Sequence, residues 1–191
     1  MPTSPFASLE LIDADDQTVR LPHLWRNGPV LLFLMRHFGC GLCRQHMLRL
    51  RDNVGLFEQA NCSVAVIAMG DATLARTTQE IYRLPFPVYV DPSRAVYKAF
   101  EIGEGSLWDV AGPHILLRQL GPWREGISSG NGPGPITQLG GLVILDGDGL
   151  PVYRHVANPI YRYPAWADVA AEVPGPAPKL FRSERLIPLP Q

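Results

Sequence analysis

The chain has 191 residues, 46% of them hydrophobic and 18% charged, with a formal net charge of -1. That balance fits one folded domain with a substantial core and excludes the strong positive field that draws a protein to nucleic acid or an anionic membrane. No stretch approaches the roughly 18 apolar residues of a membrane-crossing helix, and the opening MPTSPFASLELIDADD lacks the basic-then-apolar pattern of an export signal, so the expected location is the cytoplasm.

SLELIDADDQTVRLPHLW, residues 8–25, places two short extended stretches around an acidic turn and predicts an N-terminal β-hairpin added to the main body. PVLLFLMR, 29–36, is a continuous apolar run and predicts a central strand covered on both faces. Beyond it Cys43, Met47, Leu50, Val54 and Phe57 recur at steps of four and three, one stripe of a helix, with Arg44, Gln45, Arg49, Asp52 and Glu58 opposite. CSVAVIAM, 62–69, predicts a second buried strand, and DATLARTTQEIYRL, 71–84, a helix capped by Asp71. FPVYVD predicts a third strand, and PSRAVYKAF a short helix with proline near its first turn. This alternation requires a largely parallel sheet at the centre with helices on it, an α/β fold.

Residues 105–120 predict helix interrupted at Gly112 and Pro113, and 121–140, dense in glycine and proline, a long surface loop lying over another part of the molecule. GLVILDGDGLPVYRHV, 141–156, predicts a hairpin, and PAWADVAAEV, 164–173, a last helix. The domain therefore spans 1–173. The proline-rich tail, 174–191, carries Leu180, Phe181, Leu186 and Ile187, which predict packing on the domain or on a second copy in a homodimer.

Three cysteines are too few, and odd in number, for a disulfide framework. RHFGCGLCRQHM, 36–47, sets Cys40 and Cys43 three apart where a strand gives way to a helix. A cysteine at a helix N-terminus meets unpaired backbone N–H groups that favour its thiolate, and Arg36, His37 and Arg44 add positive charge nearby. Cys40 is then the exposed attacking thiolate and Cys43, one turn on, resolves the product. Gly39 and Gly41 permit a tight turn and a close backbone approach. Two other readings stand beside this one. A zinc site needs about four ligands and the motif supplies two, and an inert pair of core cysteines is always available. Cys62, without a local partner before a buried strand, reads as structural. Arg44, His46, Arg49 and Arg51 read as a solvated basic face rather than a site for carboxylates. His114 and His155 carry no motif.

RHFGCGLCR, FPVYVDPSRAVYKAF and QLGGLVILDGDG, in this order, resemble the AhpC/TSA peroxiredoxin-like superfamily, in particular its peroxiredoxin-like branch that includes selenoprotein U, over roughly 8–173. The resemblance implies a thioredoxin-like fold, a central mixed sheet flanked by helices, and thiol-dependent reduction of peroxides or disulfides with no bound cofactor or metal. It also implies electrons from a thiol reductant such as glutathione or thioredoxin. The chain departs from the family pattern in that the cysteine of the usual T-x-x-C motif falls at Cys43, with Cys40 in the threonine position, so the two cysteines exchange the attacking and resolving roles if the mechanism is peroxiredoxin-like. The motif's preceding proline falls at Arg36, the arginine that holds the attacking thiolate falls at Gly140, and the groove-shaping proline of thioredoxins falls at Gly141. The function expected is a C-x-x-C oxidoreductase. The alternatives are a redox-inactive thioredoxin-fold scaffold, and a specialised enzyme in which the 121–140 loop is a lid over a dithiol pocket.

Overall fold

The computed structural model describes residues 4–175. A seven-stranded mixed sheet organises them, in the order β2-β1-β5-β4-β3-β6-β7. Its centre is β3 (Val30–Leu34), β4 (Ser63–Ala68) and β5 (Val88–Val90), mutually parallel and apolar because both sheet faces are covered. β6 (Gly140–Leu145) runs antiparallel to β3, and β7 (Pro151–Ala157) antiparallel to β6. This is the thioredoxin-like architecture.

The N-terminal hairpin, β1 (Glu10–Ile12) and β2 (Thr18–Arg20), is not an appendage. β1 pairs antiparallel with β5 through Ile12 and Val90, so the hairpin extends the main sheet and supplies its edge. The stripe that reads as one helix is two, α1 (Gly41–Asp52) and α2 (Val54–Gln59), with the break at Asn53, whose φ of -116° leaves the helical region. α3 (Ala72–Ile81) opens at Asp71, whose side chain accepts from Leu74 N–H at 2.9 Å. α4 (Ala95–Ala99) follows β5, its first N–H groups taken by the Asp91 carboxylate rather than spared by proline. Gly112 does divide the next stretch, into α5 (Leu107–Ala111) and α6 (Pro113–Arg124). α6 nevertheless runs on through Gly121 and buried Pro122, so the surface loop is 125–139 and shorter than its composition suggests. α7 (Trp166–Ala171) closes the described chain. Leu180, Phe181, Leu186 and Ile187 lie outside the described residues.

Side chains alternate across the sheet into two cores. Leu31, Phe33 and Met35 face α1, α2 and α7, while Leu32 and Leu34 meet Trp25, Tyr97 and Phe100 on the other side. Tyr97, fully buried, donates its hydroxyl to both Met35 O (2.5 Å) and Ile67 O (3.0 Å), where β3 and β4 end. It thereby pins the chain that leads into the cysteine motif. Replacing Tyr97 with phenylalanine leaves two buried carbonyls without this donor and is expected to cost about 1–3 kcal/mol. Urea denaturation of Tyr97→Phe checks this, and an unchanged midpoint would contradict it.

Candidate active site

After β3 the chain leaves the sheet at Met35 and turns through His37–Gly39 into α1. Cys40 is the N-cap of α1, with its backbone extended (φ -74°, ψ 109°) and its sulfur accepting from Cys43 N–H at 3.3 Å. The sulfur takes the place that a serine or aspartate oxygen has in an ordinary cap. Arg36 lies behind it, with Nη1 3.8 Å from the Cys40 sulfur. A hydrogen bond from the Cys43 thiol, the Arg36 charge and the Cys43 N–H outweigh burial and bring the Cys40 thiol down to about 6. Cys43 moves the opposite way, well above the ordinary thiol range, because its proton is shared with Cys40 and it is completely buried. At neutral pH the pair holds one negative charge, centred on Cys40.

The surroundings correct several expectations. Cys40 is only 4% exposed. It lies under the 125–139 loop and reaches outside through a cavity of about 390 Å³ lined by Arg36, His37, Gly39, Gln119, Ser129 and Asn131, among others. His37 contributes no charge: burial, then Arg36 and Arg44, push its imidazole down to about 4, and its Nδ1 has no hydrogen-bond partner. Arg44 turns away from the sulfur and donates to Ser128 O and the Tyr82 hydroxyl. Gly141 lies inside β6, where a Cβ would meet His155 O and Ile102, and is not part of the cavity. The basic face of α1 is solvated only in part. Arg49 is exposed, whereas Arg44 is half-buried under the loop and His46 is stacked on Tyr163 at 4.0 Å. Gln45, on the same face, is buried and donates to Glu125. Burial brings His46 down to about 3, with Arg49 and His155 adding to it, so it too is neutral. His114 lies between Trp108 and Tyr161, and the His155 ring is bonded to Arg162 O. Cys62 is buried and its thiol is pushed up to about 11.

The loop is fastened at both ends of the motif. Gly130 N–H donates to Gly39 O at 2.9 Å, and Ser129 Oγ accepts from Gly41 N–H at 3.2 Å while donating to Gln119. Arg36 holds the far end through Gln138 O (2.7 Å) and Ile136 O, and the Gln138 side chain donates to the carbonyls of Ile102, Gly103 and Leu139. At Gly39 a Cβ would lie 2.5 Å from the carbonyl oxygens of Gly130 and Asn131, so only glycine admits this approach. Ser129, Asn131, Ile136 and Gln138 were invisible as site residues in the sequence; the glycine and proline density of their segment was the one signal. Among the described residues no three of His, Cys, Asp and Glu converge as a metal-binding group, and no helix is long and apolar enough to cross a membrane.

Two expectations follow. Gly39→Ala is expected to lift the loop, costing about 1–3 kcal/mol as overpacking does, and to speed amide exchange at Gly130; unaltered exchange would contradict the contact. Arg36→Met removes the positive charge beside Cys40, so the midpoint of its pH-dependent alkylation is expected to rise from about 6 toward the ordinary thiol value. Alkylation near pH 7 then slows, because less of the sulfur is thiolate.

Residues 2–121 match the AhpC/TSA family. Over 98 residues, 51% of this chain and 40% of the relative, the sequence is 26% identical to a thioredoxin-like protein AAED1, chloroplastic, of Arabidopsis thaliana; the match thus spans well under half of that relative. It is 26% identical over 162 residues to peroxiredoxin-like 2C of Bos taurus, covering 80% of this chain and 71% of the relative. Among solved structures, peroxidoxin BcpB of Mycobacterium tuberculosis superposes with a TM-score of 0.61 at 20% identity, over 86% of this chain and 90% of that one, which speaks for the fold. By sequence and by fold, the chain belongs to the AhpC/TSA family and to its peroxiredoxin-like branch.

Proposed function

We propose that the chain is a thiol-dependent oxidoreductase whose cycle runs through Cys40 and Cys43. One observation carries this: the sulfur that lines the cavity is also the one whose charged form the helix start and Arg36 favour. Cys40 is therefore assigned as the attacking thiolate and Cys43, directly behind it, as the resolving thiol. The family pattern alone would have given the first role to Cys43, which has no access to the cavity.

With a hydroperoxide, the Cys40 thiolate attacks one peroxide oxygen, the O–O bond breaks, and water or an alcohol leaves as the sulfur becomes a sulfenic acid. Cys43 gives up its proton and attacks that sulfur; a disulfide forms and water leaves. Two electrons and two protons, from two glutathione molecules or one thioredoxin dithiol, restore both cysteines as the reductant becomes a disulfide. With a small disulfide as substrate, the first step forms a mixed disulfide and expels a thiolate, and Cys43 expels the second. The cycle uses no bound cofactor or metal. Arg36 stabilises the thiolate and anchors the lid, neutral His37 offers a hydrogen-bonding ring at the cavity wall, and Gly39 and Gly41 let the lid seat. Because the Gly130 and Ser129 bonds close over the motif, a folded protein's disulfide reaches Cys40 only after they open. The lid thus favours a compact peroxide or a small disulfide as substrate.

Single-turnover oxidation tests the assignment. Cys40→Ser is expected to lose at least about 100-fold in peroxide consumption. Cys43→Ser is expected to consume one equivalent and stop, holding a sulfenic acid that a dione probe labels at Cys40. Activity retained by Cys40→Ser, or label at position 43 of Cys40→Ser, would reverse the two roles.

A further inference from the structure

Exposed apolar side chains gather on α6. Leu116, Leu117, Leu120 and Trp123 are between 45% and 72% exposed, and Leu107 and Trp108, at the start of α5, are exposed as well. The steps of four and three from Leu116 through Leu120 to Trp123, with Leu117 beside them, place all four on one outward arc of α6. The opposite arc, with Ile115 and Pro122, is buried against the domain. The helix is therefore apolar on both sides, where a surface helix ordinarily turns polar residues outward. Single exposed leucines need no account, but a continuous apolar face marks a contact. α6 also carries Arg118 and Arg124 and no carboxylate. Arg124, seven residues beyond Leu117, shares the outward arc, and Arg118 flanks it, 4.9 Å over the Tyr161 ring. Among the described residues neither cation has a carboxylate partner. The neighbouring acids are engaged elsewhere, Glu125 accepting from Gln45 and Asp109 from Ser106.

We infer that the outward arc of α6 seats in the headgroup layer of a lipid bilayer that carries anionic phosphates. A helix lying in that plane needs leucine and tryptophan on its inserted side and cations able to reach the phosphates, which is the composition of α6. A second copy of the chain would answer the apolar residues but not Arg124. In a two-fold contact of α6 on α6 that cation meets no carboxylate, because the helix has none. Lipid satisfies both requirements. The net charge of -1 supplies no attraction from a distance, so docking depends on insertion of the apolar arc, with the two arginines adding local attraction to anionic headgroups. Docking also places the cysteine site. Gln119 stands three residues after Leu116 and four before Trp123, next to both on the helix, and it lines the cavity that reaches Cys40. Exposed Ile136 lines the same cavity. A chain seated by α6 therefore holds the mouth of that cavity beside the lipid surface. Docking does not depend on the dithiol cycle and is measured without it.

The test sediments the reduced full-length chain with vesicles of phosphatidylcholine alone and of phosphatidylcholine mixed with phosphatidylglycerol. The wild type is expected to bind the mixed vesicles and to shift its tryptophan emission to the blue, since Trp108 and Trp123 are exposed in water while Trp25 and Trp166 are already buried. Leu117→Glu and Trp123→Glu are each expected to weaken binding by about ten-fold or more, the range for withdrawing one large apolar side chain from an apolar place. Arg124→Gln is expected to lose about five-fold on the mixed vesicles and little on phosphatidylcholine alone. Leu150→Glu, which removes an exposed leucine at the turn before β7, is expected to bind as the wild type does. All four positions are exposed, so the melting temperatures of the variants are expected to stay close to that of the wild type. A wild type that leaves the mixed vesicles unbound overturns the inference. Binding that Leu117→Glu and Trp123→Glu leave unchanged does so too, as does an equal loss in Leu150→Glu, which marks non-specific adsorption. A wild-type dimer that Leu117→Glu dissociates, with no vesicle binding, gives the face to a second copy and also overturns it.

Discussion

A buried guanidinium sets the terms for the rest of the site. Arg36 is 4% exposed, and a charge so far from water is tolerable only where each of its nitrogens has a partner. The Gln138 and Ile136 carbonyls take two of them and the Cys40 sulfur faces a third. The lid and the thiolate are therefore partners of the same cation. The charge that holds the 125–139 loop in place also makes the ionised form of Cys40 the favoured one.

In the proposed cycle Arg36 stands where the family pattern has an arginine before the penultimate strand. A cation rooted at position 140 would enter from β6. Here the cation enters from the end of β3, four residues before Cys40, and position 140 is glycine, where a Cβ would lie 2.5 Å from the Tyr163 hydroxyl and 2.9 Å from Leu34 O. The positive charge beside the sulfur is supplied from a different point of attachment. Placing a cysteine where the family has threonine follows the same logic. The helix N-cap needs an acceptor for the Cys43 N–H, and the Cys40 sulfur fills that need; in the proposed cycle the same sulfur is the attacking atom.

The opposed shifts of Cys40 and Cys43 are two views of one proton. A site that is nearly dry can hold one anion on two sulfurs but not two, and the sulfur nearer the arginine and the helix N-terminus keeps it. The division of labour proposed for the cysteines thus follows from the electrostatics of their positions on the first turn of α1. Neutral His37 and His46 fit the same picture, since neither imidazole could be charged beside a guanidinium in so little water.

The central strands, the C-x-x-C at a strand-to-helix junction and the helix N-cap at Asp71 were legible in the chain itself, because each depends on local periodicity or on neighbours within a few residues. Even the covering loop announced itself by its glycines. What the sequence could not convey was direction: that Arg36 turns toward the sulfur while Arg44 turns to Ser128, or that His37 is stripped of its charge by burial. Nor could it bring Ile136, Gln138 and Tyr163 to the motif, since they are separated from it by about a hundred residues or more and meet it only through the β3–β6 pairing and the packing of the segment after β7. Local sequence determined which atoms are able to react. The tertiary structure decided which of them is charged and which can be reached, because charge and access depend on burial and on partners that only folding assembles.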